Sequence, residues 1–233
     1  MKALASLSTA AQSAWNDSLL AQFPEHAAGL LADRAMPRHF ASGEAIQHGA
    51  GGTPSLVFLI VDGLARVYVR SESGREMTVR YAARGELVGL PALAAGRSNP
   101  GVAIKVMIDT ECVSLPASGL LRLAAHDAGV AWPIARYVAE TLHRSEQLWS
   151  NNVFQQMPPR VAYHLLELCS RDGDGLVVHA TQDEVARAVG SVREVVARTL
   201  REFAEAALIE RGPRAIRLLD PAGLHRVASP PLS

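Results

Sequence analysis

The sequence predicts an α+β protein in three parts: a rolled antiparallel sheet, one long helix, and a C-terminal pair of helices separated by a glycine turn. Three observations carry this reading. Between Arg38 and Pro116, short runs rich in Val, Ile, Leu and Tyr alternate with glycines at 43, 63, 74, 85 and 89 and from Gly49 to Gly52, the texture of short strands and tight turns. After Pro133 the apolar period changes to steps of three and four, the period of a helix. From Thr181 to Ala206 the chain reads helix, glycine, helix. The expected domains are a rolled sheet with N-terminal helices over 1–127, a long helix over 128–157, and a terminal domain over 158–233.

The first residues, Met1 to Leu7, start like a weak signal peptide, but Ser6, Ser8 and Thr9 dilute the apolar run, so a cytoplasmic location is expected. Leu19, Leu20, Phe23, Leu30 and Leu31 fall at roughly helical spacing and predict short N-terminal helices. In the sheet, Leu56–Val61 reads as a buried strand and Leu64–Val69 as a second. Met77–Tyr81 reads as a third, after the turn Glu72-Ser73-Gly74-Arg75.

The long helix draws a stripe through Ile134, Val138, Leu142, Ser145, Leu148 or Trp149, and Asn152, about six turns in length. That is longer than one domain needs. With polar positions at Ser145 and Asn152 it resembles a dimer seam whose polar residues set register, so a homodimer is expected. Pro158 disfavours helical backbone at Met157, and neither Pro158 nor Pro159 has an amide to donate, which ends the helix there.

Beyond this hinge, Arg160 to Cys169 reads as a helix with Val161, Leu165, Leu166 and Leu168 inward, followed by a turn over 171–175 and a strand Leu176–Val178. Thr181-Gln182-Asp183-Glu184 is a capping box: the Thr181 hydroxyl accepts from the Glu184 amide while the Glu184 carboxylate reaches back to the Thr181 amide. Gly190 breaks the helix so started, and Ser191 is expected to cap a second one over 192–206. Near its N-terminal end lie Arg193, Glu194 and Arg198. Arginine presents a bidentate fork to guanine and glutamate accepts from cytosine, so these are base-reading chemistries placed where a recognition helix enters the major groove. The competing assignment is a solvated helix with an internal Glu194–Arg198 pair. Leu208–Arg211, a turn at Gly212-Pro213-Arg214 and Ala215–Leu219 then form an arginine-bearing hairpin suited to phosphate.

Composition narrows the alternatives. The 233 residues carry 23 Lys+Arg against 23 Asp+Glu and are 48% hydrophobic, which excludes a disordered chain. Zero net charge means that any nucleic-acid contact must come from a local surface such as this one. No apolar run approaches a membrane span. Cys112 and Cys169 stand far apart without Cys-x-x-Cys spacing, so no metal or cofactor is expected from them.

The segment from Thr181 to Arg198, followed by Leu208-Ile209, resembles the winged helix-turn-helix of the cyclic-AMP receptor protein and fumarate-nitrate regulator superfamily of bacterial transcription regulators. The glycines of the sheet resemble the turns of that family's cyclic-nucleotide-binding β-roll, and residues 134 to 156 its dimerisation helix. The resemblance implies a non-enzymatic homodimer that binds an inverted repeat in double-stranded DNA and contacts RNA polymerase. It implies base contacts by Arg193, Glu194 and Arg198; Thr181, Gln182 and Ser191 are further DNA-contact candidates, and Arg214 of the hairpin a phosphate contact. A signal in the roll would shift the packing of the long helix around Ser145 and Asn152 and so the spacing of the recognition helices.

The roll departs from the family pattern. Its phosphate cassette supplies a glutamate for the ribose and an arginine for the cyclic phosphate, and gap-free alignment of Gly89 to Gly101 puts Leu90 and Pro100 in those places. Neither replaces the lost partner. Arg97 and Ser98 lie nearby, so Gly89, Leu90, Arg97, Ser98, Pro100 and Ser145 are the effector-pocket candidates, for an effector that the sequence leaves unidentified and that is not expected to be cyclic AMP. Cyclic-AMP- or haem-responsive regulation stays open as an alternative, with His39, His48 and His143 the available haem ligands. Two different classes are also open. One is a cupin-like metalloenzyme using His39, His48 and Glu44; the other is a dimeric interaction module that no longer touches DNA.

Overall fold

The computed structural model describes residues 4, 7–47, 54–72, 74, 76–99, 101–154, 156–172, 175–212 and 214–228. The chain divides into two compact units. One comprises residues 1–67 with 82–144, the other 68–81 with 145–233.

The first unit opens with α1 (Thr9–Asn16), a 3-10 turn (Leu19–Gln22) and α2 (Glu25–Ala32). Ser8 and Ser18 cap the first two, accepting from the Ala11 and Leu20 amides. The strands follow: β1 (Met36–Phe40), β2 (Ala45–Gln47), β3 (Leu56–Asp62), β4 (Ala65–Arg70), β5 (Glu76–Ala82) and β6 (Leu87–Val88). After α3 (Leu90–Ala94) come β7 (Val102–Val106) and β8 (Thr110–Pro116). One sheet has the order β1-β8-β3-β6 and a second β2-β7-β4-β5. The pairings β1–β8, β3–β8, β3–β6 and β2–β7 are all antiparallel, as the glycine-punctuated strand pattern predicted. The β3–β4 turn needs a glycine: Gly63 has φ +105°, and a Cβ there would lie 2.4 Å from the Thr110 hydroxyl.

The core of this unit joins sheet to helices. Trp15, Leu20, Leu31, Leu59, Leu87, Leu90, Leu115 and Leu120 are buried in one apolar cluster. Two helices that the sequence pattern does not mark out complete it, α3 and α4 (Ala117–His126). The long helix α5 (Ala128–Phe154) follows, and its Tyr137 hydroxyl both donates to the Leu87 carbonyl (2.9 Å) and accepts from the Leu87 amide (2.8 Å). That pins one side of α5 to the roll.

The second unit contains α6 (Met157–Leu168), β9 (Ser170–Asp172), β10 (Gly175–Val178), α7 (Gln182–Val189), α8 (Arg193–Glu205), β11 (Ile209–Arg211), β12 (Ile216–Leu218) and α9 (Pro221–Ala228). The expected break falls earlier than the prolines: α5 stops at Phe154. Met157 with Pro158 and Pro159 opens α6 instead of the helix expected from Arg160, because a proline at the first turn of a helix gives up an amide that has no partner there. The sheet order is β11-β12-β10-β9, so the wing hairpin is continuous with the strands that precede α7. Residues 171–175, expected as a simple turn, contribute the strand residues Arg171 and Asp172, because β10 offers them a partner. The tip of the β4–β5 hairpin belongs to this unit: the Thr78 hydroxyl donates to the Ala188 carbonyl (3.1 Å), and the Tyr81 hydroxyl lies 2.9 Å from Nδ1 of buried His164.

Candidate nucleic-acid interface

The capping box forms as its spacing requires. The Thr181 amide donates to Glu184 Oε2 at 2.9 Å and the Glu184 amide donates to the Thr181 hydroxyl at 3.2 Å, satisfying two of the donors left open at the start of α7. At the other end Gly190 adopts φ +67°, and the Ser191 amide donates to the Ala186 carbonyl at 2.9 Å. Because Ser191 is thereby tied to the end of α7, the cap expected there falls one residue later. Val192 is the N-cap of α8, with no side-chain bond to the helix. The Arg160 guanidinium donates to the Val189 carbonyl, and burial lowers its pKa from the ordinary arginine value. Val185, Ala188, Val189, Val196, Leu200 and Phe203 are buried and lock the two helices together.

This scaffold leaves a defined outer face. Arg193, Glu194 and Arg198 are all exposed on the first turns of α8, with Thr181 and Gln182 half-buried at the start of α7 and Ser191 half-buried in the turn. Arg193 Nε lies 3.7 Å from Asp183, and Arg198 Nε lies 4.0 Å from Glu202. Both are long, exposed pairs of little energetic weight that a stronger acceptor displaces. The internal pair weighed against DNA contact, Glu194 with Arg198, does not form among the described residues; Arg198 turns instead to Glu202. The wing carries exposed Arg211, Arg214 and Arg217, the last 3.6 Å from Glu210. Arg201, also exposed on α8, is a further cation that the sequence reading passed over, although its position eight residues after Arg193 was the available signal.

The other candidates are placed as follows. Gly89 takes φ +90° and begins α3. Leu90 is 1% exposed and sits in the apolar cluster with Leu87 and Leu93, while Arg97 is exposed and Ser98 half-buried. Pro100 and His48 lie outside the described residues. Ser145 is 4% exposed. The stripe expected along α5 divides between two faces: Ile134 packs on the roll core beside Val130 and Tyr137, Val138 is half-buried, and Leu142 (53%) and Trp149 are exposed. The Asn152 side chain is outside the described structure. A second line was missed in the sequence. Trp132, Ala135, Ala139, Leu142, Glu146 and Trp149 recur at steps of three and four, and every one is exposed, Trp132 by 67%. Among the described residues no group of three or more His, Cys, Asp or Glu is placed to hold a metal ion, and no helix is long and apolar enough to cross a membrane.

A β-roll followed by a long helix and a winged helix-turn-helix with arginines on its outer face defines a DNA-binding regulator. Comparison with known proteins agrees. Residues 37–127 match the cyclic nucleotide-binding domain and residues 159–227 the Crp-like helix-turn-helix domain. The transcriptional regulator SdrP of Thermus thermophilus is 32% identical over 199 residues, covering 81% of this chain and 92% of that protein. The cyclic AMP receptor protein of the same organism is 29% identical over 180 residues, covering 76% and 82%. A solved CRP/FNR-family transcriptional regulator, also from Thermus thermophilus, superposes with a TM-score of 0.68 at 27% identity over 83% of this chain and 98% of its own. The chain belongs to the CRP/FNR family of DNA-binding transcription regulators.

Proposed function

We propose that the protein acts as a homodimer on an inverted repeat, reading each half-site with Arg193, Glu194 and Arg198, and that cyclic AMP is not its effector. The observation that carries the DNA reading is the exposure of all three side chains at the N-terminal end of α8, behind a capped and buried scaffold. Arg214 and the other wing arginines add phosphate contacts that carry no sequence information. Thr181, Gln182 and Ser191 border the same face. The functional division is a sensor over 1–127, a dimer helix over 128–157 and a DNA reader over 158–233.

Dimerisation is assigned to the exposed line on α5. Trp132, Ala135, Ala139, Leu142 and Trp149 present apolar surface at coiled-coil spacing, and small alanines allow close helix approach. A signal in the roll acts by population shift, changing the packing of α5 near Ser145 and Asn152 and so the separation of the two recognition helices. The regulator is a binding protein rather than an enzyme, and its output passes to RNA polymerase. Against cyclic AMP stands Leu90: buried and apolar, it offers a ribose hydroxyl no acceptor.

Selection from random duplexes tests the reading. The expected product is a palindrome with half-site centres about 34 Å apart and G·C pairs in each half. Arg193→Ala or Arg198→Ala should cost ~1–3 kcal/mol and relax one base pair, whereas Arg214→Ala should weaken all sequences equally. A selection that yields no palindrome rejects it.

A further inference from the structure

A cavity of about 390 Å³ opens between α2 and α4, and no residue of the cassette loop lines it. That is within the size range of small-molecule sites, ~300–1,000 Å³. Its walls are chemically divided. Leu30 on α2 is 56% exposed although Leu31 beside it is buried, and Leu123 of α4 and Pro116 extend the same apolar surface. Leu30 thus stands as a large aliphatic side chain at a concave surface where an apolar group of a ligand would cover it.

The polar edge is cationic. Arg34, four residues after Leu30, and Arg122 on α4 both line the cavity and both are exposed. Neither guanidinium is engaged by a carboxylate among the described residues. The one acid in the lining is already occupied: Asp127 Oδ2 lies 3.1 Å from His26 Nε2, and its Oδ1 accepts from the Gly129 amide at 2.7 Å. Gly119 on α4 adds no side chain to the lining, and a Cβ there would meet Leu31 at 3.6 Å, an ordinary contact, so a larger side chain could enter the space.

We propose that this cavity is a ligand site, distinct from the cassette segment, for a small amphipathic carboxylate whose head pairs with Arg34 and Arg122 and whose aliphatic tail covers Leu30, Leu31 and Leu123. A guanidinium fork matches a carboxylate bidentately, which a point charge does not, and two arginines line this edge. A tail without the head leaves both arginines unused, and a head without the tail leaves the leucines in water.

Calorimetric titration of the full chain with octanoate tests the site, with 1-octanol and acetate as the tail-only and head-only comparisons. Octanoate should bind saturably with one site per chain, and each comparison compound at least tenfold more weakly. Arg34→Gln combined with Arg122→Gln should lower octanoate affinity at least tenfold while leaving the melting temperature of the ligand-free protein unchanged, because both side chains are exposed. Gly119→Leu should fill the cavity and remove binding. The proposal is overturned if octanoate does not saturate, if 1-octanol binds as well as octanoate, or if the double variant binds octanoate within twofold of the unaltered protein.

Discussion

The segment from Thr181 to Arg198 and the segment from Gly89 to Asn99 each open with a short helix, begun at a cap in the first and at a glycine in the second, yet they turn their chemistry in opposite directions. In the first, polar side chains point outward and the apolar ones make the scaffold. In the second, the residue at the decisive place, Leu90, points inward and joins the roll's core. A DNA-reading surface needs exposed forks at helical spacing, and local sequence specifies those. A ligand pocket needs buried polar groups with partners, and a single apolar substitution removes the partner while leaving the fold intact. On the proposed reading, the helix-turn-helix keeps the family's DNA-reading chemistry while the cassette lacks the family's nucleotide partners.

Several variants would break or sharpen this contrast. The largest effect is expected from Leu142→Glu. If the exposed line on α5 joins two chains, the new charge faces its symmetry mate, so the dimer and specific DNA binding should be lost together. Sedimentation of the wild type and the variant at micromolar concentration checks it, and a wild-type monomer would contradict the dimer outright.

Leu90→Glu puts a carboxylate at the position that the gap-free alignment pairs with the family's glutamate. Buried in an apolar cluster, it should destabilise the fold by ~3 kcal/mol or more in urea denaturation and gain no response to cyclic AMP. A stable, cyclic-AMP-responsive variant would mean that the cassette is one substitution from its relatives.

The two thiols offer a gentler probe, one in each unit. Burial pushes Cys112 up to about 12 and raises Cys169 as well. Below pH 9, Cys112 is protonated whether the chain is folded or not. Above it the unfolded chain releases the proton and the fold does not, so stability should fall by ~1.4 kcal/mol per pH unit between 9 and 12. Melting curves of wild type and Cys112→Ala across that range should diverge by this slope.

The smallest expected effect is none. Cyclic AMP at ~1 mM should leave both melting temperature and DNA affinity unchanged, whereas a ligand at ~100 times its dissociation constant would add about 2.7 kcal/mol. A shift with cyclic AMP but not with AMP would place Arg97 and Ser98 on the phosphate.

What the sequence made legible was local. The strands around Leu56–Val61 and Met77–Tyr81, the Thr181–Glu184 box and the Gly190 break each announce themselves within a few residues, and all appear in the structure. The rest depended on distant partners. Asp172 becomes a strand residue because Gly175 pairs with it. Ser191 yields the cap to Val192 because its amide is held by Ala186. The α5 periodicity was plain, but two apolar lines share that helix, and only the packing of Ile134 and Tyr137 on the roll shows which is taken. The cavity beside Leu30 needed two helices separated by more than eighty residues in the chain.

The exposed face of α5 has an optical consequence. Of the protein's three tryptophans, Trp15 is sealed in the roll core, while Trp132 and Trp149 meet water at either end of the same helical line. Their indoles emit at longer wavelength in water than in an apolar contact. The natural chain thus carries its own fluorophores, one reporting the integrity of the roll and two reporting whatever comes to cover the helix, with no dye attached.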